Sequence, residues 1–347
     1  MKSKDIVFAA MEMKDPERVP VAPFGSGVWT IHRSGTTFRE LSTDADRMAK
    51  TNIDIYNKFK PDIVYVGSGF NNLHAAALGG TIVFREIGAP DLENPYIAEL
   101  ADIEKLDLNK IPKDQVIQTI WEAARKVKAE IGNDVVVTIT AWGPFTLAAQ
   151  LVGVETFMRS TFKNKDLVKA TCEFASEMIK RVFEPLIDDG TVDLLSLADP
   201  VASGDLVSRK QFERFAIPPL KLFTEWAHKK GKKVLLHICG DTNNRLDLFP
   251  ETGADCISLD HKVDLAQAKI KIGNKICIAG NLDPVSILDR ATVDDVKKLA
   301  YECLDAGASG GGFILMPGCD HPPSVPDDNL RAFYDSARNY KSSNDNC

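Results

Sequence analysis

Short apolar runs alternate with longer amphipathic segments along this chain, and the alternation constrains its fold more than any other feature. Eight runs have the length of buried strands; they span residues 19–24, 62–66, 135–140, 194–198, 233–239, 256–260, 276–280 and 312–316. The segments between them place apolar residues near the helical period of about 3.6; examples are 43–58, 115–131, 167–187, 208–230 and 293–306. Repeated strand–helix alternation implies parallel strands joined by right-handed crossovers. We therefore predict an α/β fold, a single (β/α)8 TIM barrel over residues 1–341, with a disordered tail at 342–347.

The stretch between the second and third runs is the least regular part of the sequence. Residues 67–113 are rich in Gly, Pro and Asn, so we expect an irregular insertion after the second strand. A doubly wound open sheet is the alternative to a barrel, but that fold calls for a glycine-rich turn directly after a strand. The glycine-rich segment 307–312 precedes a run instead, and we interpret it as the end of a helix.

Charge and composition exclude several kinds of partner. The 347 residues carry a net charge of −7 with dispersed basic side chains, so we expect no nucleic-acid surface. The N-terminus lacks the apolar stretch of a signal peptide, and no apolar run reaches the roughly 18 residues of a membrane span. Seven cysteines without a CxxC pair suit a reducing compartment. We expect a cytoplasmic protein without membrane contact.

Two soft metal ligands stand two residues apart at the end of the fifth run. His237 and Cys239 point to the same side of an extended strand, so one ion can contact both. Cys319 follows the eighth run, and Asp260 closes the sixth. One imidazole and two thiolates suit Zn²⁺, with the Asp260 carboxylate as a replaceable fourth ligand. The alternative is a hydrogen-bonded core histidine with cysteines that act only as small apolar side chains.

Further polar residues fall where the predicted strands end, which is where a barrel places its active site. Asp199 follows the fourth run, and it either acts on a substrate or caps the following loop. His261 and His321 neighbour the proposed ligands, so both are candidate catalytic residues, although each can equally be a structural histidine. Asn281 follows the seventh run and either contacts a substrate or precedes a helix.

Three of these segments resemble one known family. They are residues 235–240, the sequence Ala-Asp-Pro-Val-Ala-Ser at 198–203, and Pro-Gly-Cys at 317–319. They resemble the zinc-dependent, corrinoid-linked methyltransferases of the uroporphyrinogen decarboxylase superfamily. That group includes methylcobamide:coenzyme M methyltransferases and bacterial relatives from demethylase systems.

The resemblance implies a (β/α)8 barrel with one zinc per chain. The zinc ligands would be His237, Cys239 and Cys319, and the family's carboxylate ligand falls on Asp260, where the coenzyme M enzymes have glutamate. The corrinoid would be carried by a separate protein, because the Asp-x-His-x-x-Gly motif of cobalamin-binding domains does not occur in this chain.

Uroporphyrinogen decarboxylases themselves are a poorer match. They carry an arginine-rich segment after the first strand, whereas residues 21–29 contain no arginine. They also place a key aspartate after the second strand, where this chain reads Gly-Ser-Gly at 67–69. A tetrapyrrole with several carboxylates needs several cationic partners. A metal-free decarboxylase is therefore the alternative function, together with a non-catalytic scaffold that docks a corrinoid protein.

The predicted function is zinc-dependent methyl transfer between a corrinoid and a small substrate. Either a thiol acceptor is activated as a zinc thiolate, or a methyl ether or similar heteroatom compound donates its methyl group. The expected partners are a corrinoid protein and the small molecule, and a homodimer is compatible with the sequence. We expect the following residues to shape the substrate pocket: Trp29, His32, Phe70, Asn71, His74, Trp142 and Asn281.

Overall fold

The computed structural model describes residues 1–341. Seven parallel strands form one curled sheet in which each strand pairs with the next along the chain. They are β1 (Ile63–Val66), β4 (Val136–Trp142), β5 (Leu194–Ala198), β6 (Lys233–Ile238), β7 (Cys256–Leu259), β8 (Cys277–Leu282) and β9 (Phe313–Pro317). A separate antiparallel hairpin of β2 (Ile82–Val83) and β3 (Asp91–Leu92) lies between β1 and β4. The predicted α/β barrel is confirmed, and seven of the eight predicted runs are strands of it.

Helices connect the parallel strands. Their bounds are α1 (Ser3–Met11), α2 (Gly27–Arg33), α3 (Phe38–Leu41), α4 (Ala45–Phe59), α5 (Asn71–Ala76), α6 (Leu100–Glu104), α7 (Gln115–Ile131), α8 (Pro144–Val152), α9 (Val154–Lys163), α10 (Lys165–Asp188), α11 (Arg209–Gln211), α12 (Ile217–Lys229), α13 (Leu265–Ile272), α14 (Val293–Gly307) and α15 (Asp327–Asn339). Shorter 3-10 segments lie at Leu108–Lys113, Pro200–Ala202 and Asn243–Thr252. The four predicted helices that α4, α7, α10 and α14 represent are confirmed, with ends shifted by at most two residues.

The predicted helix at 208–230 is interrupted. A π-helical turn, Phe212–Ala216, separates α11 from α12. Pro218 and Pro219 stand at the start of α12, and neither has an N–H group to donate. Because the regular hydrogen-bond ladder cannot pass through two prolines, the backbone adopts the wider turn just before them.

The first predicted strand, at 19–24, is wrong as a regular strand, but the segment still closes the barrel. Val21 forms a single parallel bridge with Leu315 of β9. The Leu315 N–H donates to the Pro20 carbonyl at 2.9 Å, and the Asp62 N–H donates to the Val21 carbonyl at 2.9 Å. The segment thus contacts the first and last strands at once. Pro20 and Pro23 lack N–H groups, so the ladder cannot extend in either direction.

A buried ion pair holds this closing segment in place. Asp62 is fully buried, and both terminal nitrogens of Arg18 donate to its carboxylate, at 2.7 and 2.6 Å. The Val21 N–H donates to the same carboxylate at 2.8 Å. The hydrogen bonds to Asp62 raise the pKa of Arg18, because they stabilise the charged guanidinium.

The barrel interior is closed at its base by α1 and becomes polar toward the carboxyl ends of the strands. Val7, Ala10 and Met11 of α1 belong to one apolar cluster with inward-facing strand residues such as Ile63 and Leu235. Nearer the carboxyl ends, several strands carry buried polar side chains: Thr140, Ser196, His237 and Ser258. Barrel enzymes carry their active sites at the carboxyl ends of the strands, so these polar residues lie at the end where an active site is expected.

The predicted insertion at 67–113 is partly regular, because it contains α5, the β2–β3 hairpin and α6. The predicted tail at 342–347 lies outside the described residues. Within residues 1–341, no helix is long and apolar enough to cross a membrane.

Candidate metal centre

Three sulfur and nitrogen atoms converge at the carboxyl end of the barrel strands. His237 lies near the end of β6, Cys239 directly follows that strand, and Cys319 follows β9. His237 Nε2 lies 3.1 Å from Cys239 Sγ, and Cys239 Sγ lies 3.6 Å from Cys319 Sγ. One ligand atom from each residue lies within 4.8 Å of the other two. The structure thus brings together three of the four predicted ligands.

The donor atoms and their spacing fit zinc. In a tetrahedral site with Zn–S bonds of about 2.3 Å and Zn–N bonds of about 2.0 Å, neighbouring donor atoms lie roughly 3.5–3.8 Å apart. The observed separations of 3.1 and 3.6 Å come close to these values. Three protein ligands leave one position of a tetrahedral shell for a carboxylate, a water or a substrate.

Ser258 and Phe24 hold the His237 ring in one orientation. His237 Nδ1 and the Ser258 hydroxyl share a hydrogen bond of 3.0 Å, and the Phe24 ring centroid lies 4.1 Å from the imidazole centroid. Ser258 pairs with His237 in the register of β6 and β7, so the two side chains face the same way. With Nδ1 engaged, Nε2 faces Cys239. Ser258 was not among the predicted site residues, although it precedes Asp260 by two residues and so shares its face of the strand.

Gly318 permits the close approach of the Cys319 loop to the neighbouring loop. A Cβ atom at this position would lie 2.3 Å from the backbone nitrogen of His261. The Gly318 N–H donates to the Leu282 carbonyl at 2.8 Å, which continues the pairing of β8 and β9. A larger residue would push Cys319 away from the other two donors.

Contact between the two thiols changes their proton affinity. The hydrogen bond from Cys239 lowers the pKa of Cys319 to about 4, with help from the nearby His237 and against the effect of burial. The same hydrogen bond, followed by burial, raises the pKa of Cys239. The contact therefore favours the thiolate of Cys319 over that of Cys239, and the thiolate is the form that binds metal.

The fourth predicted ligand, Asp260, lies beside this group and is not part of it. Its carboxylate accepts hydrogen bonds from the Gly240 N–H at 2.8 Å and the Lys262 N–H at 3.0 Å. The ring of His261 contacts it at 3.0 Å. These contacts occupy both carboxylate oxygens and join the loops that follow β6 and β7. The assignment of Asp260 as a ligand stays a prediction.

His261 and Asn281 lie next to Asp260 in different surroundings. The two ring nitrogens of His261 face two carboxylates, Asp260 at 3.0 Å and Asp283 at 3.8 Å, and its side chain is 35% exposed. Asn281 is buried and donates to the carbonyls of Asp260 and Val263 at 3.0 and 2.7 Å. His261 is thus accessible beside the three predicted ligands His237, Cys239 and Cys319, which we call the metal-ligand group. The amide of Asn281 instead stabilises the loop that follows β7.

Asp199 binds the start of α8 and does not cap its own loop. It accepts hydrogen bonds from the Thr146 N–H at 2.7 Å, the Thr146 hydroxyl at 2.5 Å and the Phe145 N–H at 3.4 Å. Burial raises its pKa to about 6 despite these donors. A Cβ at Gly143 would lie 2.5 Å from the Asp199 side chain, so glycine makes room for the carboxylate. The proposed catalytic role of Asp199 stays a prediction.

His321 and Trp29 lie in the packing between α2 and the residues after β9. Both are almost fully buried, their ring centroids are 5.4 Å apart, and the Trp29 N–H donates to the Val325 carbonyl at 3.0 Å. Neither ring nitrogen of His321 has a hydrogen-bond partner among the described residues, and burial lowers its pKa to about 3. Neither residue belongs to the metal-ligand group.

The residue after Cys319 is a buried aspartate that was not among the predicted site residues. Asp320 accepts hydrogen bonds from the Ser26 N–H at 2.8 Å and the His321 N–H at 2.9 Å. Burial, together with the charge of Cys319, raises the pKa of Asp320 to about 8. Its contact with Ser26 ties the loop after β9 to the residues that precede α2.

Three predicted pocket residues lie at the start of α5, after β1. Phe70 is buried against Phe38, with ring centroids 4.9 Å apart. Asn71 Oδ1 and His74 Nδ1 are buried, and neither has a hydrogen-bond partner among the described residues. Burial lowers the pKa of His74 to about 4, so its ring is neutral at pH 7. Asn71 and His74 stand three residues apart on one face of the helix.

Trp142 is the predicted pocket residue that shares a layer with the metal-ligand group. It pairs with Ala198 in the register of β4 and β5, and Ala198 pairs with His237 in the register of β5 and β6. Trp142 is half-buried and packs against the interior cluster of the barrel. His32, by contrast, is exposed near the end of α2.

Comparisons with known proteins match nearly the whole chain. The model of the uroporphyrinogen decarboxylase (URO-D) family covers residues 2–340. A methylcobamide:CoM methyltransferase of Methanosarcina mazei is 29% identical over 345 residues, 97% of this chain and 98% of that protein. A uroporphyrinogen decarboxylase of Trichodesmium erythraeum is 26% identical over 88% of this chain and 86% of its own length.

A solved structure supports the same relationship. A methyltransferase from Methanosarcina mazei superposes with a TM-score of 0.83 at 25% sequence identity, covering 97% of this chain and 98% of that one. The predicted resemblance to the methyltransferases of this superfamily is confirmed by these matches. The chain belongs to the uroporphyrinogen decarboxylase family.

Proposed function

We propose that this protein transfers a methyl group between a corrinoid, carried by a separate protein, and a small substrate that reacts at a zinc ion held by His237, Cys239 and Cys319. The observation that carries the proposal is the convergence of these three donor atoms within 4.8 Å at the carboxyl end of the strands. In a barrel enzyme, catalytic groups are drawn from this end. The methylcobamide:CoM methyltransferases among its relatives favour a thiol as the acceptor.

The residues around the proposed zinc have distinct tasks. Bound zinc would lower the pKa of a coordinated thiol and keep it as a nucleophilic thiolate near neutral pH. Ser258 fixes the orientation of His237, and the lowered pKa of Cys319 prepares one thiolate ligand before metal arrives. Asp260 is the proposed replaceable ligand, because its carboxylate accepts a hydrogen bond from the N–H of Gly240, the residue that follows Cys239. His261 is the proposed acid–base residue, since it is the accessible ring beside this group.

The family also includes decarboxylases, and the local chemistry favours methyl transfer over that activity. Two thiols and an imidazole at one point suit a soft metal ion, whereas a polycarboxylate tetrapyrrole requires several cations. Residues 21–29, which precede and begin α2, contain no arginine. The direction of transfer follows from which substrate reacts: a thiol that gains a methyl group, or a methyl ether that loses one.

The first test measures zinc and methyl transfer together. Protein purified without oxygen is expected to contain about one zinc per chain, and Cys319→Ala is expected to lose most of it because two donors remain. The unaltered protein is expected to demethylate free methylcobalamin with coenzyme M as acceptor, which the corrinoid absorbance spectrum follows. Cys172→Ala removes a buried cysteine on α10 outside the donor group, and it serves as the matched control.

Two outcomes would contradict the proposal. A folded parent protein without zinc removes the metal centre. Release of CO2 from uroporphyrinogen by zinc-free protein assigns the decarboxylase activity instead. If coenzyme M is not methylated but a reduced corrinoid gains the methyl group of a methyl ether, the zinc site stands and the transfer runs in the opposite direction.

A further inference from the structure

Asn72 is a buried amide on α5 with every hydrogen-bonding group engaged. Its oxygen accepts from Trp142 Nε1 at 2.5 Å and from Gln150 Nε2 at 2.5 Å. Its nitrogen donates to the Pro90 carbonyl at 2.8 Å and to the Asp91 carboxylate at 3.0 Å. The Asn72 side chain thus connects α5 to three other segments: the end of β4, helix α8 and the β2–β3 hairpin, which it contacts at two adjacent residues. The Asn72 amide uses all four of its hydrogen-bonding positions, so the loss of any partner would leave a buried polar group without a hydrogen bond.

The indole that Asn72 holds stands in the same layer as His237. Trp142, Ala198 and His237 are register partners on three successive parallel strands. Adjacent strands lie about 4.8 Å apart, so the backbones of Trp142 and His237 are roughly 10 Å apart across Ala198. Ala198, which lies between them in this layer, has a small side chain. Trp142 is only half-buried, so part of its ring is accessible.

The same amide fixes the hairpin against this side of the barrel. The hairpin has only two residues in each strand, which is too short to hold its position by its own pairing. Asn72 supplies two bonds to it at Pro90 and Asp91. Arg85 and Asp91 form a further ion pair within the hairpin. One residue therefore forms hydrogen bonds with both the hairpin and the indole.

We infer that Asn72 is a positioning residue: it sets the Trp142 indole as the apolar wall of the substrate site beside the metal-ligand group and joins that wall to the β2–β3 hairpin. The inference rests on the proposed function for its substrate, and on the hydrogen bonds of Asn72 for its geometry. A Trp142 ring without its N–H partner can rotate about its side-chain bonds, so the orientation of the indole is no longer fixed. The wall would contact an apolar part of the substrate, so its loss is expected to affect substrate binding more than metal binding.

The first test measures the fluorescence emission of the Trp142 indole and does not depend on enzymatic activity. Asn72→Ala is expected to change the tryptophan emission spectrum, because Trp142 loses its hydrogen bond and gains contact with water. In a Trp142→Phe background, the same Asn72→Ala change is expected to leave the emission of the remaining tryptophans unaltered. Gln150→Ala is the matched control, since it removes the other donor to the same oxygen and keeps the indole bond. Equal spectral changes in both backgrounds would overturn the inference.

The second test uses methylcobalamin and coenzyme M as the probe substrates. Asn72→Ala is expected to raise KM for coenzyme M about tenfold, the factor that corresponds to loss of the single hydrogen bond to Trp142. Its kcat and zinc content are expected to stay close to the parent's. Trp142→Phe keeps an aromatic ring without the N–H group, so it carries the test if Asn72→Ala does not fold. The two substitutions are expected to be non-additive in kcat/KM.

The outcomes separate this inference from the proposed function. Additive effects, or a fall in zinc content in Asn72→Ala equal to that in Cys319→Ala, would mean that Asn72 supports the fold in general. If the emission test succeeds and the parent protein transfers no methyl group, the positioning role stands and the proposed reaction does not.

Discussion

At the scale of single residues, the hydrogen bond between Ser258 and His237 should control metal affinity. Removal of the partner of a metal-binding histidine costs about 10- to 100-fold in affinity, because the ring loses its orientation. We therefore predict that Ser258→Ala binds zinc 10- to 100-fold more weakly, measured by competition with a chelator, while its circular dichroism spectrum stays unchanged.

Ser196→Ala provides the control for that experiment. Ser196 is also a buried hydroxyl that faces the barrel interior, on β5, but it has no hydrogen-bond partner among the described residues. Its removal is expected to leave zinc affinity unaltered. An equal loss of affinity in both variants would show that Ser258 acts through general packing and not through His237.

A second prediction concerns the buried ring of His74. Burial lowers its pKa to about 4, below the value near 6.5 of an exposed histidine. The unfolded chain therefore takes up a proton first as the pH falls, so stability is complete above pH 6.5 and is lost between about pH 6.5 and 4. His74→Gln is expected to remove about 3 kcal/mol of this loss, measured as the free energy of unfolding in urea at pH 7 and pH 4.5. His32→Gln alters an exposed ring and should keep the parent's pH dependence.

The sequence predicted that His237, Cys239 and Cys319 come together because the evidence for this grouping is local. A histidine and a cysteine two residues apart on a strand must share a face, and Cys319 ends another strand of the same barrel. Ser258 and Asn72 could not be assigned in this way, since their partners are set by the register of strands and by contacts between distant loops. Trp29 was expected in a substrate pocket, but the sequence gives no sign that its N–H meets the Val325 carbonyl.

At the scale of elements, prolines account for the two places where the predicted elements differ most from the structure. Short apolar runs predicted β1, β4 and the later strands, because parallel strands in a barrel are buried on both faces, and the helical period predicted the helices. Periodicity does not report whether a backbone N–H is available. Pro20 and Pro23 therefore reduce the first strand to one bridge, and Pro218 and Pro219 break a long helix.

The closing segment should depend on its ion pair more than on its backbone pairing. Arg18→Ala leaves the Asp62 carboxylate buried without its charged partner, which costs about 3–5 kcal/mol of unfolding free energy. Urea unfolding followed by circular dichroism measures this loss. Arg159→Ala removes an exposed pair with Glu155 and is expected to cost less than about 0.5 kcal/mol. Equal effects of the two substitutions would contradict a special role for Arg18.

At the scale of the whole molecule, zinc should connect parts of the barrel that are distant in sequence. His237 and Cys239 belong to β6 and its loop, whereas Cys319 belongs to the loop after β9. A ligand that binds only the folded state stabilises it, by about 2.7 kcal/mol at a hundredfold excess over Kd. We predict that added zinc raises the melting temperature of the metal-stripped protein, and that Cys319→Ala abolishes the rise. A rise of the same size in Cys319→Ala would place the stabilising zinc elsewhere.

The bridge between Val21 and Leu315 also has a consequence for biosynthesis. The two residues lie near opposite ends of the sequence, and the residues around Val21 find their partners on both β1 and β9. Contacts between distant residues form slowly, because a long loop must close before they yield any stabilisation. A chain that emerges from the ribosome N-terminus first must therefore keep its opening segment unpaired on one side until β9 has been translated. The barrel can become a closed ring only after β9 has been translated, and until then the side of the segment around Val21 that faces β9 stays without its strand partner.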